Sequence, residues 1–244
     1  MANLLEKASI ILTPTAYSDG KMHSAKPIVS TNPSVGDFDF ARASVATRVN
    51  EQGLIEEVAS GLPRIDYTDG SGSWLLEPTA TNEFTYSEDF SSLRGFNPSV
   101  VGASTAVHTS NFGISPKGDL TADRIQLNRN GEGYSDWFSV RTITTGVTYT
   151  YSIYIKSLGV DADIYFVSAN GSSILKTITN EWIKYEHTFT ATSTSYVPKF
   201  LIQGIASESA DILAWGAQLE QNSYSSSYIK TVGTAQTRVS DTAS

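Results

Sequence analysis

The clearest alternation of apolar and polar positions covers residues 147–156, which read VTYTYSIYIK. β-Branched and aromatic residues dominate this stretch and a polar residue recurs at every second position, which predicts a β-strand with one face in a core. The residues predicted to be buried are Val147, Tyr149, Tyr151, Ile153 and Ile155. The opposite face carries Thr148, Thr150, Ser152, Tyr154 and Lys156. We expect this second face to be a binding surface.

Further strand-like segments follow one another between residues 84 and 220, separated by turns at intervals typical of a β-sandwich. They cover residues 122–127, 134–140, 163–168, 182–190, 198–203 and 212–220. Earlier in the chain, alternation within residues 37–58 predicts a β-hairpin with its turn at residues 50–53. The sequence therefore predicts an all-β protein.

Three regions are expected along the chain. Residues 1–80 form an extended N-terminal arm and a small β-hairpin region, residues 81–230 form the β-sandwich, and residues 231–244 form a Ser/Thr-rich C-terminal tail. A small hairpin is not stable alone in water. The first region is therefore expected to pack on the sandwich or on neighbouring copies, and to serve attachment or oligomerisation.

The composition excludes several classes of function. The 244 residues contain 17 Lys and Arg against 25 Asp and Glu, a net charge of −8, which disfavours binding to nucleic acid. The chain has no cysteine, which excludes disulfides, thiolate metal sites and cysteine nucleophiles. No apolar run approaches the roughly 18 residues of a membrane-spanning helix, so no membrane partner is expected. The N-terminus lacks the basic start and apolar core of a signal peptide.

Four segments resemble jelly-roll carbohydrate-binding modules of the cellulase and xylanase accessory type. They are residues 117–125, 146–157, 180–185 and 214–220, in this order. The resemblance implies a jelly-roll β-sandwich for the second region. It also implies that aromatic rings on a sheet surface stack on sugars while polar side chains bind their hydroxyl groups.

A longer stretch, from residue 36 to residue 239, resembles virion proteins of tailed phages such as tail fibres, head fibres and capsid decoration proteins. The matching segments are residues 36–40, 43–54, 62–67, 74–78 and 216–220. This resemblance implies a location on the virion surface after assembly in the host cytoplasm, with other virion proteins as partners. It also implies a homo-oligomer, for which we expect a trimer.

Five residues are candidates for carbohydrate binding: Trp137, Tyr154, Lys156, Gln203 and Gln218. Tyr154 and Lys156 share a strand face, and they would either line a sugar cleft or be ordinary solvated strand positions. Trp137 would either join that cleft or be a buried structural residue. Gln203 and Gln218 are candidate hydrogen-bonding partners of sugar hydroxyl groups. Trp215 alternates with Ala217 and Leu219, and we predict that it lies in the core with them.

Four acidic residues are candidates for one structural calcium ion of the kind that jelly-roll modules often hold. They are Glu88, Asp89, Asp119 and Asp123. Carboxylates are the usual calcium ligands, but the dense acidic loop of a dedicated calcium site is missing. Solvated loop positions are the alternative that the sequence favours for these residues.

No motif supports catalysis, so the protein is not expected to be an enzyme. A glycosidase needs two carboxylates that face each other across a bond, and no pair is singled out among the acidic residues. Two functions remain open. The first is a virion structural protein that displays a carbohydrate-binding-like sandwich, with cell-surface glycans as partners. The second is a free-standing carbohydrate-binding module that acts on polysaccharide.

Overall fold

A computed structural model describes residues 14–18, 21–24, 38–101, 104–131, 133–167 and 173–243. Most of the expected N-terminal arm lies outside the described residues. The chain divides into two compact units. Unit 1 comprises Met1–Thr79 together with Arg238–Ser244, and unit 2 comprises Ala80–Thr237.

The described residues form β-strands and one short 3-10 helix, so the all-β prediction is confirmed. The first strands are β1 (Pro14–Ser18), β2 (Lys21–Ser24), β3 (Phe38–Ala41), β4 (Ala46–Val49), β5 (Ile55–Val58), β6 (Arg64–Asp66), β7 (Ser73–Leu75) and β8 (Ala80–Asn82). After the 3-10 helix Ser92–Arg94 come β9 (Phe96–Val101), β10 (Ser104–Gly113), β11 (Ala122–Asn128), β12 (Tyr134–Ser139), β13 (Arg141–Thr142), β14 (Thr148–Ser157) and β15 (Ala162–Val167). The chain continues with β16 (Ser173–Ile178), β17 (Ile183–Thr190), β18 (Ser195–Tyr196), β19 (Lys199–Gln203), β20 (Ser209–Glu220), β21 (Gln236–Arg238) and β22 (Thr242–Ala243).

Unit 1 consists of a small sheet and two hairpins around buried charges. The sheet has the strand order β1-β2-β3-β22, and the hairpins are β4-β5 and β6-β7. The hairpin β4-β5 matches the one predicted within residues 37–58. The carboxylate of Asp241 accepts hydrogen bonds from Arg42 at 3.0 Å and from Arg64 at 2.5 Å. Asp241 lies in the segment assigned to a C-terminal tail, yet its side chain is fully buried.

Unit 2 is a jelly roll of two five-stranded antiparallel sheets. The first sheet has the order β10-β11-β20-β14-β17, and the second has the order β16-β15-β19-β12-β9. Successive strands cross between the sheets, so that β11 and β14 lie in the first sheet while β12 and β15 lie in the second. Without the edge strands β10 and β9, the two sheets have the orders β11-β20-β14-β17 and β16-β15-β19-β12. This interleaved order of two Greek keys defines a jelly roll. The predicted fold is confirmed.

The core lies between the two sheets, and β14 contributes the residues that its alternation predicts. Tyr149, Tyr151, Ile153 and Ile155 are buried in the core cluster, and Val147 packs against it. Aromatic rings fill much of the remaining space, including Phe84, Phe90, Phe96 and Phe200. Burial of this apolar surface is the main stabilising contribution to the unit.

A bulge at Gly216 changes which residues of β20 face the core. Gly216 has a φ of 69°, and a Cβ atom there would lie 3.2 Å from the Tyr154 ring. The pairing between β14 and β20 shifts register between Ser152 and Tyr154. Ala214 and Ala217 therefore face the core, whereas Trp215 lies on the opposite face, beside Tyr154. Trp215 is buried as predicted, but it is not in the core with Ala217, because alternation does not continue through a bulge.

Candidate functional site

The outer face of the first sheet, predicted to be a binding surface, is covered by residues 221–231, which we call the covering segment. Thr150 and Ser152 are fully buried there. The Thr150 hydroxyl donates a hydrogen bond to the carbonyl oxygen of Asn222 at 2.9 Å. Lys184 Nζ donates to the Ser225 hydroxyl at 2.6 Å and to the Ser226 carbonyl oxygen at 2.9 Å. Most of this face is therefore an internal interface, which corrects the prediction.

Gln218, a predicted sugar-binding residue, is part of that interface. It is fully buried, and its Oε1 accepts a hydrogen bond from the backbone N–H of Ile229 at 2.6 Å. Its Nε2 donates to Glu220 Oε2 at 2.9 Å, and the same oxygen accepts the N–H of Ser226 at 2.9 Å. Its hydrogen-bonding groups hold the covering segment, so Gln218 is not accessible to a sugar.

Tyr154 and Lys156 lie at the border of the covered area and are half-buried. The Tyr154 ring meets Trp215 edge-on, with 5.8 Å between the centroids. Lys156 Nζ lies 5.9 Å from the centroid of the Trp182 ring. Both side chains are thus engaged with neighbouring aromatic rings. Their role in sugar binding stays a prediction that the structure does not strengthen.

Trp137 lies in the core, which decides between the two alternatives left open by the sequence. Its side chain is 4% exposed, and the indole Nε1 donates a hydrogen bond to the Phe90 carbonyl oxygen at 3.0 Å. The indole stacks on the His108 ring at 5.4 Å between centroids. On either side, the small buried residues Ser135 and Ser139 leave room for the indole. Trp137 is therefore not a surface platform for sugar.

The four calcium candidates are occupied by hydrogen-bond donors of the protein. Asp123 accepts hydrogen bonds from the N–H groups of Phe90 and Asn111, and His108 lies 2.8 Å from it. Asp119 accepts from the hydroxyls of Ser115 and Thr121. Asp89 pairs with Arg94 at 2.8 Å, and Glu88 pairs with Lys230 at 2.7 Å. Within the described ranges, no group of three or more acidic or histidine residues is suited to hold a metal ion. A structural calcium ion at these residues therefore stays a prediction that the contacts do not support.

The outer face of the second sheet combines aromatic and polar side chains, and we call it the second-sheet face. The register of the strands places Leu175, Tyr165, Leu201, Asp136 and Ser99 in one row across the five strands. By alternation, a neighbouring row contains Thr177, Asp163, Gln203 and Tyr134, and the row on the other side contains Lys199, Phe138 and Asn97. Tyr134, Phe138 and Tyr165 are each half-buried. The second-sheet face thus presents three partly exposed aromatic rings next to hydrogen-bonding side chains.

Side-chain hydrogen bonds organise the second-sheet face from within. The hydroxyls of Tyr134 and Ser99 lie 3.1 Å apart, and Thr177 donates to Asp163 at 2.6 Å. Lys199 Nζ donates to the buried carboxylate of Asp136 at 3.3 Å. Burial raises the pKa of the Asp136 carboxyl, and the Lys199 charge opposes this shift. The arrangement holds the lysine side chain against the sheet, close to Phe138 on the neighbouring strand.

Gln203, the remaining sequence candidate, belongs to this second-sheet face and lies opposite Tyr134. Its amide is half-exposed and makes no hydrogen bond to another side chain or backbone group in the described part of the chain. The structure therefore brings Gln203 together with Tyr134, Phe138 and Tyr165, none of which was a sequence candidate. Alternation along residues 134–138 places Tyr134 and Phe138 on one face of the strand and Trp137 on the other. The sequence candidate was Trp137, but the exposed face is the one that carries Tyr134 and Phe138.

No family model and no curated protein matches the chain. Several solved structures resemble part of it. The CBM22-1 xylan-binding domain from Paenibacillus barcinonensis is 15% identical, with a TM-score of 0.39, 59% of this chain covered and 94% of that domain covered. The family 11 carbohydrate-binding module from Clostridium thermocellum, solved with a β-1,3-1,4-mixed-linked tetrasaccharide, is 14% identical, with a TM-score of 0.38 and coverage of 64% and 98%.

A phage protein is also among the similar structures. The enzymatically active domain of tailspike protein 4 from bacteriophage CBA120 is 12% identical, with a TM-score of 0.37. The similarity covers 57% of this chain but 21% of the tailspike chain. Likenesses of this size do not identify a ligand. In the described part of the chain, no helix has the length and apolar character needed to cross a membrane.

Proposed function

We propose that the jelly roll of unit 2 binds carbohydrate on the second-sheet face. The observation that carries this proposal is the presence of three half-exposed rings, Tyr134, Phe138 and Tyr165, on one face with the open amide of Gln203 and the ammonium group of Lys199. Sugar rings present apolar C–H faces and polar edges, and this combination of aromatic and hydrogen-bonding side chains is complementary to both.

The spacing of the rings favours an extended ligand. Tyr134 and Phe138 are four residues apart on β12, so their Cα atoms are separated by roughly 13 Å along the strand. Tyr165 lies on β15, two strands away from β12 across β19, a separation of roughly 10 Å. A platform of these dimensions accommodates several units of a polysaccharide and is larger than one monosaccharide.

The polar groups explain why the face is a candidate for sugar and not for a second protein. Its side-chain hydrogen bonds, in the part of the chain that the structure describes, stay within the second sheet, and no described segment is bonded across it in the way that the covering segment crosses the first sheet. Asp163, Thr177 and Asn97 place acceptors and donors beside the rings. Hydroxyl groups of a sugar act as both donors and acceptors and can use all of them.

We also propose that the protein is a structural component of a phage virion. A phage fibre or decoration protein with this face would use it to bind glycans on the host surface, and other virion proteins would hold it through unit 1. The sequence resemblance across residues 36–239 supports this setting, whereas a free-standing module is the alternative. Co-purification of the chain with phage particles, or a stable oligomer by solution mass, favours the virion role, and a monomer in solution favours the free module.

Affinity gel electrophoresis across a panel of plant and bacterial polysaccharides tests the binding proposal. The wild-type protein is expected to be retarded by at least one polymer, and Tyr134→Ala and Gln203→Ala are expected to reduce that retardation. Tyr224→Ala is a matched control, because Tyr224 is 46% exposed and lies in the covering segment. Retardation by no polymer, or equal retardation of all variants, contradicts the proposal.

A further inference from the structure

A second feature of unit 2 is a narrow cleft between the edge strands β16 and β17, where the two sheets part; we call it the edge cleft. Lys199 borders both the edge cleft and the second-sheet face, but an inference about the other lining residues does not depend on the proposed function. Aromatic side chains make up much of its lining, together with Lys176 and His187. The side chain of Ile174 lies at its border and is partly exposed.

The aromatic part of the edge cleft is held in place by its own contacts. Phe166 and Tyr185 stack with 5.1 Å between ring centroids and an angle of 18° between the planes. The Tyr185 hydroxyl donates a hydrogen bond to the Thr177 carbonyl oxygen at 2.9 Å. Deeper inside, Tyr151 and Tyr196 meet edge-on at 5.7 Å. The cleft therefore has a defined shape before any ligand enters.

Two polar groups in the cleft are without a partner in the described residues. His187 Nε2 is buried and makes no hydrogen bond there. Burial lowers the pKa of the His187 imidazole, so the ring is neutral near pH 7 and its Nε2 can carry a proton for donation. Lys176 is exposed and forms no ion pair or hydrogen bond within the same residues. A buried polar atom that lacks a partner is costly, so a ligand that supplies one is favoured.

The charge of the edge cleft is positive although the whole protein carries a net charge of −8. Glu186 borders the cleft, but its carboxylate accepts a hydrogen bond from Ser225 on the other face of β17 and lies 3.5 Å from Lys184. Lys199 also borders the cleft, and its ammonium group is bound to Asp136 on the second-sheet face. The charge left facing the cleft is that of Lys176.

The size of the cleft limits what can enter it. The cavity inside the cleft has a volume of about 20 Å³, enough for roughly one water molecule. One small polar group of a ligand therefore fits inside, while the rest of the ligand stays at the border against Ile174 and Tyr185.

We infer that the edge cleft binds the carboxylate group of an acidic sugar, such as a uronic acid unit. Lys176 pairs with the negative charge, His187 Nε2–H donates a hydrogen bond to a carboxylate oxygen, and the sugar ring packs on the exposed edge of the aromatic wall. One carboxylate oxygen fits the space beside His187 Nε2–H, and the second oxygen meets the Lys176 charge at the border of the cleft, so a single planar anion uses both groups.

The test is an NMR titration of the full chain with galacturonate, glucose and acetate, observed at the His187 ring nitrogens. Galacturonate is expected to shift the His187 signals with saturation and to bind more weakly as salt is added, because the charge interaction is partly exposed. Glucose is expected to have no effect. Saturation by glucose at equal concentration overturns the inference, and equal affinity for acetate and galacturonate shows binding of an adventitious anion only.

Variants connect the titration to the two polar groups. Lys176→Met is expected to weaken galacturonate binding by roughly five- to tenfold, and His187→Phe is expected to weaken it at least as much when binding is followed by calorimetry. Lys117→Met removes the same charge in the loop before β11 and is expected to leave the affinity unchanged. Tyr134→Ala, on the second-sheet face, is also expected to leave it unchanged. Equal affinity of Lys176→Met and wild type overturns the inference whatever the outcome for polysaccharides.

Discussion

The rings of Trp215 and Tyr228 lie 4.4 Å apart between centroids and join the covering segment to the outer face of the first sheet. Both residues are buried. The Tyr228 hydroxyl lies 2.6 Å from the Ser87 hydroxyl and donates a hydrogen bond to Glu88 at 2.8 Å. The Tyr228 side chain thus packs on Trp215 and makes two polar contacts. Together these contacts hold the covering segment, which contains no β-strand, on the sheet.

Tyr228→Ala is expected to destabilise unit 2 by about 3–5 kcal/mol, because it leaves a cavity beside Trp215 and removes both hydroxyl contacts. Denaturant unfolding followed by circular dichroism measures the change. Tyr224→Ala provides the comparison within the same segment, since Tyr224 is 46% exposed, and its effect is expected to stay within about 0.5 kcal/mol. Similar losses for the two variants would show that the covering segment is not fixed by the Trp215 contact.

Asn82 is a second point of attachment. Its side-chain Nδ2 donates hydrogen bonds to the carbonyl oxygens of Ala217 and Ile229, and its Oδ1 accepts from the N–H groups of Phe84 and Leu219. The residue is fully buried. One amide therefore links strand β20 to the covering segment and to the chain that follows β8.

Asn82→Ala is expected to cost roughly 2–4 kcal/mol, because four backbone groups lose their partner in a buried site. The measurement is the midpoint of thermal unfolding, converted to a free-energy difference. Asn222→Ala serves as the control, since its backbone carbonyl holds Thr150 but its side chain is half-exposed. If Asn82→Ala unfolds at the wild-type temperature, water replaces the amide and the link is not structural.

The sequence shows which face of a strand lies in the core, but it does not show whether a distant segment of the chain covers the other face. The alternation of residues 147–156 identifies the core face of β14, since Tyr149, Ile153 and Ile155 are all buried. The same alternation says that Thr150 and Ser152 are on the opposite face, but not that another segment covers that face. The covering segment is rich in serine and has no regular periodicity, so no pattern in the sequence predicts where it packs.

The choice between two faces of a strand fails for a related reason. Trp137 shares a face of β12 with Ser135 and Ser139 and lies opposite the apolar residues Phe138 and Val140, so alternation alone favours a core on the Phe138 side. Both serines are buried, where their small size accommodates the indole. The outward face of β12 instead carries Tyr134 and Phe138. Alternation therefore places Tyr134 and Phe138 together on one face of β12. Which face is exposed depends on how the opposite sheet packs, and alternation does not show this.

Asp241→Ala is expected to destabilise unit 1 by about 3–5 kcal/mol, because the buried Arg42 loses its paired carboxylate and the buried Arg64 keeps only its ion pair with Glu77. The backbone N–H of Glu77 donates a hydrogen bond to Asp241 Oδ2 at 2.9 Å in the wild type and would lose this acceptor. Hydrogen exchange of the amides in residues 42–77 measures the loss of protection. Asp69→Ala removes an exposed carboxylate from the same unit and is expected to leave protection unchanged. Unaltered exchange in Asp241→Ala would mean that the two arginines find other partners.

His187 is expected to make stability depend on pH. Burial lowers the pKa of its imidazole below the ordinary value of 6.5, so the unfolded chain binds a proton at a higher pH than the folded one does. The contribution of the neutral ring is fully present above about pH 6.5 and is lost as pH falls through the lowered folded value. Tyr151 and Tyr185, which line the same cleft, remain protonated across this range because burial raises their pKa.

The measurement compares thermal unfolding of wild type and His187→Gln between pH 8 and pH 5. Glutamine does not titrate, so the wild-type midpoint is expected to fall relative to that of the variant as the pH decreases below about 6.5. A constant offset between the two proteins at every pH would reflect altered packing against Phe189, whose ring stacks on His187 at 5.6 Å. Such an offset would contradict a titrating buried imidazole. A relative gain for wild type at low pH would also contradict it, since that sign requires a folded pKa above 6.5.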